Sequence, residues 1–209
     1  MSRDGKSFYP IEIPTPVTYY KFDDNLDDSS SNGRILSGSP NYDSGKFYKA
    51  FKNATVSRAN QDLFSGSQAG GPYTISFWLV RQPLNTFAMY TDKDSLSELN
   101  VSIFSSGSLV VQLNNLGEEV TLATGVLADG VFHHYAITVE DGVINLYVDG
   151  NLVGTDSVSD SGASFSNTTT LDIIPEANRV DDLSIFSRVL TPKQITVIAA
   201  GTDPLSDLL

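Results

Sequence analysis

The chain has 209 residues, no cysteine, and a formal net charge of −12 from 25 acidic against 13 basic side chains. The missing cysteines exclude a disulfide framework, a thiolate metal site and a cysteine nucleophile. The charge disfavours phosphate backbones and anionic lipid, so neither nucleic acid nor a membrane surface is expected as a partner. At 40% hydrophobic and 18% charged residues, the composition is that of one globular domain with a sizeable core. No apolar run approaches the roughly 20 residues that cross a bilayer.

The start, Met1-Ser2-Arg3-Asp4-Gly5-Lys6-Ser7, is not followed by the apolar stretch of a secretory signal. Residues 1–16 read as an extended arm, because Pro10, Pro14 and Pro16 each fix φ and push the preceding residue towards extended geometry. Its apolar residues, Phe8, Tyr9, Ile11 and Ile13, are costly to leave in water. They can pack along their own domain or dock on a neighbouring subunit or shell protein, and a lone chain does not separate the two.

From Val17 the pattern is β, with short apolar or alternating runs punctuated by Gly, Asn, Asp and Ser. Thr18–Phe22 is the first strand. Tyr73–Arg81 is apolar on both faces, as a central strand covered on both sides should be. Phe87–Thr91, Leu99–Phe104, Ser108–Leu113 and Val120–Ala123 follow at the spacing of a sandwich. Phe132–Glu140, Val143–Val148 and Asn151–Val158 form a meander, since Asp141-Gly142 and Asp149-Gly150 are the residues of two-residue type I′ turns. Thr169–Ile174 and Arg179–Phe186 precede one helix at Pro192–Ala200. Its start is marked by Thr191 as cap, Pro192 at the first helical position and Gln194 closing a capping box; Gly201 marks its end. The fold class is all-β: an antiparallel β-sandwich of jelly-roll type with one short C-terminal helix. The domain occupies 17–201, between the arm and a tail, 202–209, that is either frayed or docked.

Four segments carry a family resemblance. Tyr20-Lys21-Phe22-Asp23-Asp24-Asn25-Leu26-Asp27-Asp28 resembles the opening strand and Asp/Asn loop of laminin G-like domains, kin of the concanavalin A-like lectin/glucanase jelly rolls. Gly45-Lys46-Phe47-Tyr48-Lys49-Ala50-Phe51 is similar to the family's next segment. Phe132-His133-His134-Tyr135-Ala136-Ile137-Thr138 with Leu146-Tyr147-Val148-Asp149-Gly150 resembles its W-H-H-V-A-V-T and L-Y-V-D-G core, with Phe132 in place of the Trp. Val180-Asp181-Asp182-Leu183-Ser184-Ile185-Phe186 resembles its I-D-D ending. The loop before that ending, Ile174–Arg179, differs from the family's glycine-bearing version, and in the family it often borders a ligand or metal edge.

The resemblance implies the jelly roll and, in many members, a Ca²⁺ site. The matching residues here are Asp23 and Asn25 with Asp181 or Asp182. Strand alternation puts Asp181 on the side of Leu183 and Ile185, where a carboxylate must be paired, hydrogen-bonded or bound to metal. Backbone N–H donors from the first loop are the alternative to the cation, and both stay open here. His133 and His134 point to opposite faces of their strand, so they cannot chelate one ion; a structural histidine is expected. Tyr147 is opposite in parity to Ile144, Leu146 and Val148 and is the candidate ligand-facing aromatic.

Catalysis is not expected. The E-x-D-x-x-E spacing of glucanases with this fold is missing, Glu118 and Glu119 diverge on a strand, and there is no G-x-S-x-G. Two expectations follow. In one, the chain is a non-catalytic bacteriophage virion surface protein, made in the host cytoplasm. It would decorate a capsid or serve tail adhesion, be held to a shell or tail protein by residues 1–16, and bind host glycans; docking of the arm on a second copy would make a homo-oligomer. The motive is an extracellular-type fold with neither signal nor cysteine. In the other, it is a Ca²⁺-dependent carbohydrate-binding module of a bacterial cell-surface or secreted protein.

Overall fold

The structure, a computed structural model, describes residues 11–61, 72–91, 99–113, 118–123, 125–126, 128–158, 169–202 and 205–209. Among the described residues fourteen strands run in chain order: β1 (Thr18–Tyr20), β2 (Asn41–Ser44), β3 (Lys49–Lys52), β4 (Val56–Gln61), β5 (Tyr73–Val80), β6 (Phe87–Thr91), β7 (Leu99–Ile103), β8 (Leu109–Leu113), β9 (Glu118–Ala123), β10 (His133–Glu140), β11 (Val143–Val148), β12 (Asn151–Ser157), β13 (Thr169–Ile174) and β14 (Arg179–Phe186). They form two antiparallel sheets. The larger has the order β12-β11-β10-β5-β14-β3-β2, with β1 also on β14; the smaller is β4-β13-β6-β7-β8-β9. This is the expected sandwich. β2, β3 and β4 were not anticipated, because short runs rich in Lys, Asn and Ser carry little apolar alternation.

β5 is central and buried at every position. Ile75, Phe77 and Leu79 enter the core between the sheets with Phe87, Met89, Val101, Tyr135, Ile137, Leu171, Leu183 and Ile185. Both Asp-Gly turns are as expected, with φ positive at Asp141 (49°), Gly142 (77°), Asp149 (48°) and Gly150 (79°).

A second apolar cluster lies on the other face of the larger sheet. The helix α1 (Pro192–Ala199) has the anticipated capping box and buries Ile195 and Ile198. They pack with Ile13, Tyr19, Ala136, Tyr147, Phe186, Leu190 and Leu205. The tail adds a one-turn helix, α2 (Leu205–Leu208), whose Leu205 is buried. The tail is therefore docked.

Two expected roles are corrected by this cluster. Ile13 belongs to the arm, but it is buried against its own domain and cannot anchor another chain. Tyr147 does face away from the sandwich core, yet α1 and the arm cover that face, and it is only 8% exposed. Alternation predicts a face and says nothing of what later folds over it. Ile11 remains 45% exposed. Phe8 and Tyr9 lie outside the described residues.

Candidate functional site

The Asp181/Asp182 pair sits at a β-bulge. Asp181 pairs with Trp78 and Ser184 with Ser76, so β14 has one extra residue there, and Asp182 takes φ 48°. The bulge inverts the alternation. Asp181 lies on the Trp78 and Ser184 side of the sheet, not on the side of Leu183 and Ile185. The reading from parity is corrected: an irregular residue resets every face assignment beyond it.

Both carboxylates are engaged by the protein. Asp181 Oδ2 accepts the N–H groups of Lys46 (2.7 Å) and Phe47 (3.3 Å), and its Oδ1 accepts the Asp182 N–H (2.9 Å). Asp182 Oδ1 accepts the Tyr19 hydroxyl (2.7 Å) and Oδ2 accepts the Leu205 N–H (3.1 Å). One aspartate thus ties down the loop after β2, and its neighbour ties down the first strand and the tail. A Cβ on Gly45 would lie 2.6 Å from Asp181 Oδ2, so only glycine lets that loop close over the carboxylate. Burial pushes Asp181 up to about 8, with the Asp182 carboxylate adding to it. Burial pushes Asp182 up to about 6, against its bond from Tyr19.

These side chains do not make a cage for Ca²⁺. All four oxygens of Asp181 and Asp182 already accept hydrogen bonds, and the ion wants about six to eight oxygens of its own. Asp23 is half-buried and accepts the Lys49 N–H at 3.1 Å; Asn25 is exposed and caps its own turn through the Asp27 N–H. Among the described residues no three His, Cys, Asp or Glu side chains gather closely enough to hold a metal. The residue that organises the first loop is Asp28, a position within the Asp/Asn run that no local pattern sets apart from its neighbours. It is 9% exposed and accepts the N–H groups of Tyr19, Ser30 and Arg34.

The adjacent histidines diverge as strand geometry requires. His134 is fully buried, 2.8 Å from Ser76 Oγ through Nε2, with Trp78 edge-on at 5.2 Å. Its Nδ1 has no hydrogen-bond partner among the described residues, and burial drives its pKa down to about 3. His133 lies 2.6 Å from Asp149 Oδ2 and 3.2 Å from Asp129 Oδ2. Burial opposes its protonation, but the two carboxylates outweigh burial and raise its pKa. A Ser76–His134 contact with both partners buried offers no path for a substrate.

Other accessible polar groups meet at one end of the sandwich. Two adjoining depressions of about 450 and 460 Å³ share Asn85 and Ala177. The first is lined also by Asp43, Lys52, Gln82, Pro83 and Arg179. The second is lined by Asn53, Thr55, Ile174 and Glu176. Three turns, β3–β4, β5–β6 and β13–β14, build them together with Asp43 of β2 and Lys52 at the end of β3. The last of these turns is Ile174–Arg179, the altered family loop.

Buried Asn178 stitches two of these turns. It accepts the Gln82 N–H (2.7 Å) and donates to the Thr86 carbonyl (2.6 Å). Glu176 joins the third: its carboxylate accepts the Thr86 N–H (2.5 Å) and its carbonyl accepts the Asn53 N–H (2.7 Å). Asn53, Leu84 and Glu176 all adopt left-handed φ, at 60°, 65° and 49°. Non-glycine residues hold that conformation only where surrounding bonds over-determine it. Arg179 is positioned as firmly, with Nη1 donating to the Ser44 carbonyl (2.8 Å) and the guanidinium 5.2 Å from the Phe132 ring centroid. Lys52 pairs with Asp43 at 2.6 Å. The hydrogen bond from Lys52 lowers the Asp43 pKa. Apart from the family association of the 174–179 loop, no sequence signal marks these residues, because they come from three distant turns.

Comparison with known proteins agrees with this architecture. No curated protein sequence matches the chain. Domain 4 of AbnA, a GH43 extracellular arabinanase from Geobacillus stearothermophilus solved with arabinotriose, superposes with a TM-score of 0.70 at 20% identity, over 88% of this chain and 98% of that domain. The binding domain of Paraclostridial Mosquitocidal Protein 1 gives 0.70 at 15% identity, covering 87% of this chain and 51% of the other. The binding domain of botulinum neurotoxin DC, solved with rat synaptotagmin II, gives 0.68 at 18% identity, covering 90% and 52%. The chain spans about half the length of these two toxin domains, and at such identities the likeness is one of fold. The sequence itself matches the profile described as the concanavalin A-like lectin/glucanases superfamily over residues 51–196, well over half its length. With the two-sheet jelly roll, the β10–β11 core and the I-D-D-type ending in place, the chain belongs to the concanavalin A-like lectin/glucanases superfamily.

Proposed function

We propose that this chain is a non-catalytic binding domain that holds a carbohydrate in the cleft between the β3–β4, β5–β6 and β13–β14 turns. The observation that carries the reading is the preorganised rim. Gln82, Asn85 and Arg179 line an open depression with amide and guanidinium groups, the Asn85 amide nitrogen donating also to the Pro83 carbonyl (3.0 Å), and buried Asn178 locks the turns beneath them. Sugar hydroxyls need such fixed donors and acceptors, while Pro83 and Ala177 offer apolar surface to the C–H face of a ring. The arabinotriose complex of the AbnA domain, which is similar over nearly its whole length, supports the ligand class.

The same geometry argues against turnover in the cleft. Glycoside hydrolysis needs a carboxylic acid of raised pKa facing a second carboxylate. Asp43 is held in the opposite direction by Lys52, and Glu176 is committed to the Thr86 N–H.

The test is a glycan array followed by titration calorimetry, with arabinotriose among the probes. Asn85→Ala and Gln82→Ala are expected to weaken the best ligand about ten-fold, the effect of losing one or two hydrogen bonds to a neutral sugar. EDTA is expected to leave the affinity unchanged. Binding that survives both substitutions would place the site elsewhere, and release of shorter sugars on long incubation would refute the non-catalytic reading.

In the other expectation, attachment to a bacteriophage shell or tail through the arm, the anchoring is left to residues before Ile13, which is packed into its own domain. Co-sedimentation with capsid or tail particles, lost on removing residues 1–12, is the outcome that reading requires.

A further inference from the structure

The first depression of the cleft has a local charge opposite to that of the molecule. It contains three charged side chains, Asp43, Lys52 and Arg179. Asp43 pairs with Lys52 at 2.6 Å and also lies within electrostatic reach of Arg179, so the three together leave a net charge of one positive in a chain of net −12. Arg179 is held by the Ser44 carbonyl and the Phe132 ring, but these use only Nη1 and a ring face. Its Nε and Nη2 groups have no protein partner among the described residues. A fixed planar guanidinium with a free edge matches a carboxylate, which can take two parallel N–H bonds.

We propose that the cleft selects a sugar that carries a carboxylate, with the carboxylate on Arg179 and the neighbouring ring beside Gln82 and Asn85. This rests on the reading of the cleft as a glycan site and specifies its ligand class. The arrangement also gives a direction. Glu176 lines the second depression and repels an anion, so the acidic residue occupies the first depression and a neutral continuation runs towards Asn53 and Thr55. The net charge limits the ligand to a short or sparsely charged one. Charges farther than about 8 Å are screened at physiological salt, so a single carboxylate mainly feels Arg179, whereas a long polyanion meets the acidic surface as well.

The experiment uses the whole chain and two matched pairs of probes: trigalacturonate against its methyl ester, and 3′-sialyllactose against lactose. The pairs decide between a uronic and a sialic acid as the source of the carboxylate. In at least one pair the acidic sugar is expected to bind ten-fold or more tighter than its neutral counterpart. Arg179→Gln is expected to erase that difference, and Arg179→Lys to restore only part of it. In the unaltered protein, the Arg179 Nε–H resonance should shift with the acidic probe and not with the neutral one, a readout that does not depend on the variants folding. Equal affinity within both pairs overturns the proposal, as does an acidic preference that survives Arg179→Gln. Neutral glycans bound in the cleft without preference would overturn this inference alone; no glycan bound at all would overturn the parent reading with it.

Discussion

His134 and Asp181 pull the stability of this protein in opposite directions with pH. Burial holds His134 at about 3, below its ordinary 6.5, so the folded state binds fewer protons and loses stability as pH falls from about 6.5. Asp181 is raised to about 8 from 3.8, so the folded state keeps a proton that the unfolded chain releases. Its contribution is greatest at low pH and declines as pH rises from about 4 to 8; Asp182, raised to about 6, acts in the same sense. Between pH 4 and 6 the histidine therefore offsets part of the aspartate trend. His134→Gln removes the histidine. Its unfolding free energy, measured by urea denaturation at pH 4, 5 and 6, should fall relative to wild type as pH rises, by about 1.4 kcal/mol per unit. An unchanged difference across that range would mean that His134 titrates normally. The histidine pair was legible in the sequence, because adjacent residues on a strand must diverge. The side on which Asp181 lies was not, because one bulged residue at Asp182 reverses the alternation.

At the scale of elements, α1 shows how far local chemistry reaches. Thr191, Pro192 and Gln194 specify its start, and the structure has both capping-box bonds. What the helix covers is a tertiary matter. It closes over Tyr147 and Phe186 together with Ile13 of the arm, and the Gln194 amide donates to the Glu12 carbonyl at 2.7 Å. The arm from residue 11 is thus part of the domain. Ile13→Ala is expected to cost about 2 kcal/mol in urea denaturation, near the low end for a buried isoleucine, because the site lies at the margin of the cluster. A loss below the experimental error would show that the arm does not stay docked in solution. The three cleft turns illustrate the opposite limit. Each is an ordinary polar turn by itself, and only Asn178 and Glu176, bonding across sequence separations of 90 residues and more, make them one site.

For the molecule as a whole, the two sheets meet closely along one margin. Gly154 in β12, an edge strand of the larger sheet, lies against β9 at the edge of the smaller; a Cβ there would fall 2.0 Å from the Leu122 carbonyl oxygen. That contact is backbone against backbone and has no soft side chain to yield. Gly154→Ala should therefore part the sheet margins and cost about 2 kcal/mol or more, read as a lower thermal midpoint. Wild-type stability in that variant would mean the edges are not in contact. The net charge also acts at this scale, as a field that screens out polyanions while the first depression of the cleft keeps its own local sign.

The sequence alone determined the sandwich, the two type I′ turns, the start of the helix and the family, because period-2 burial, positive-φ turns and helix caps are each written in residues close to one another. The covering of Tyr147 and Ile13, the reversal at Asp182 and the assembly of the cleft depended on the tertiary structure. Each joins residues far apart in the chain, where no local pattern can encode which surfaces will meet.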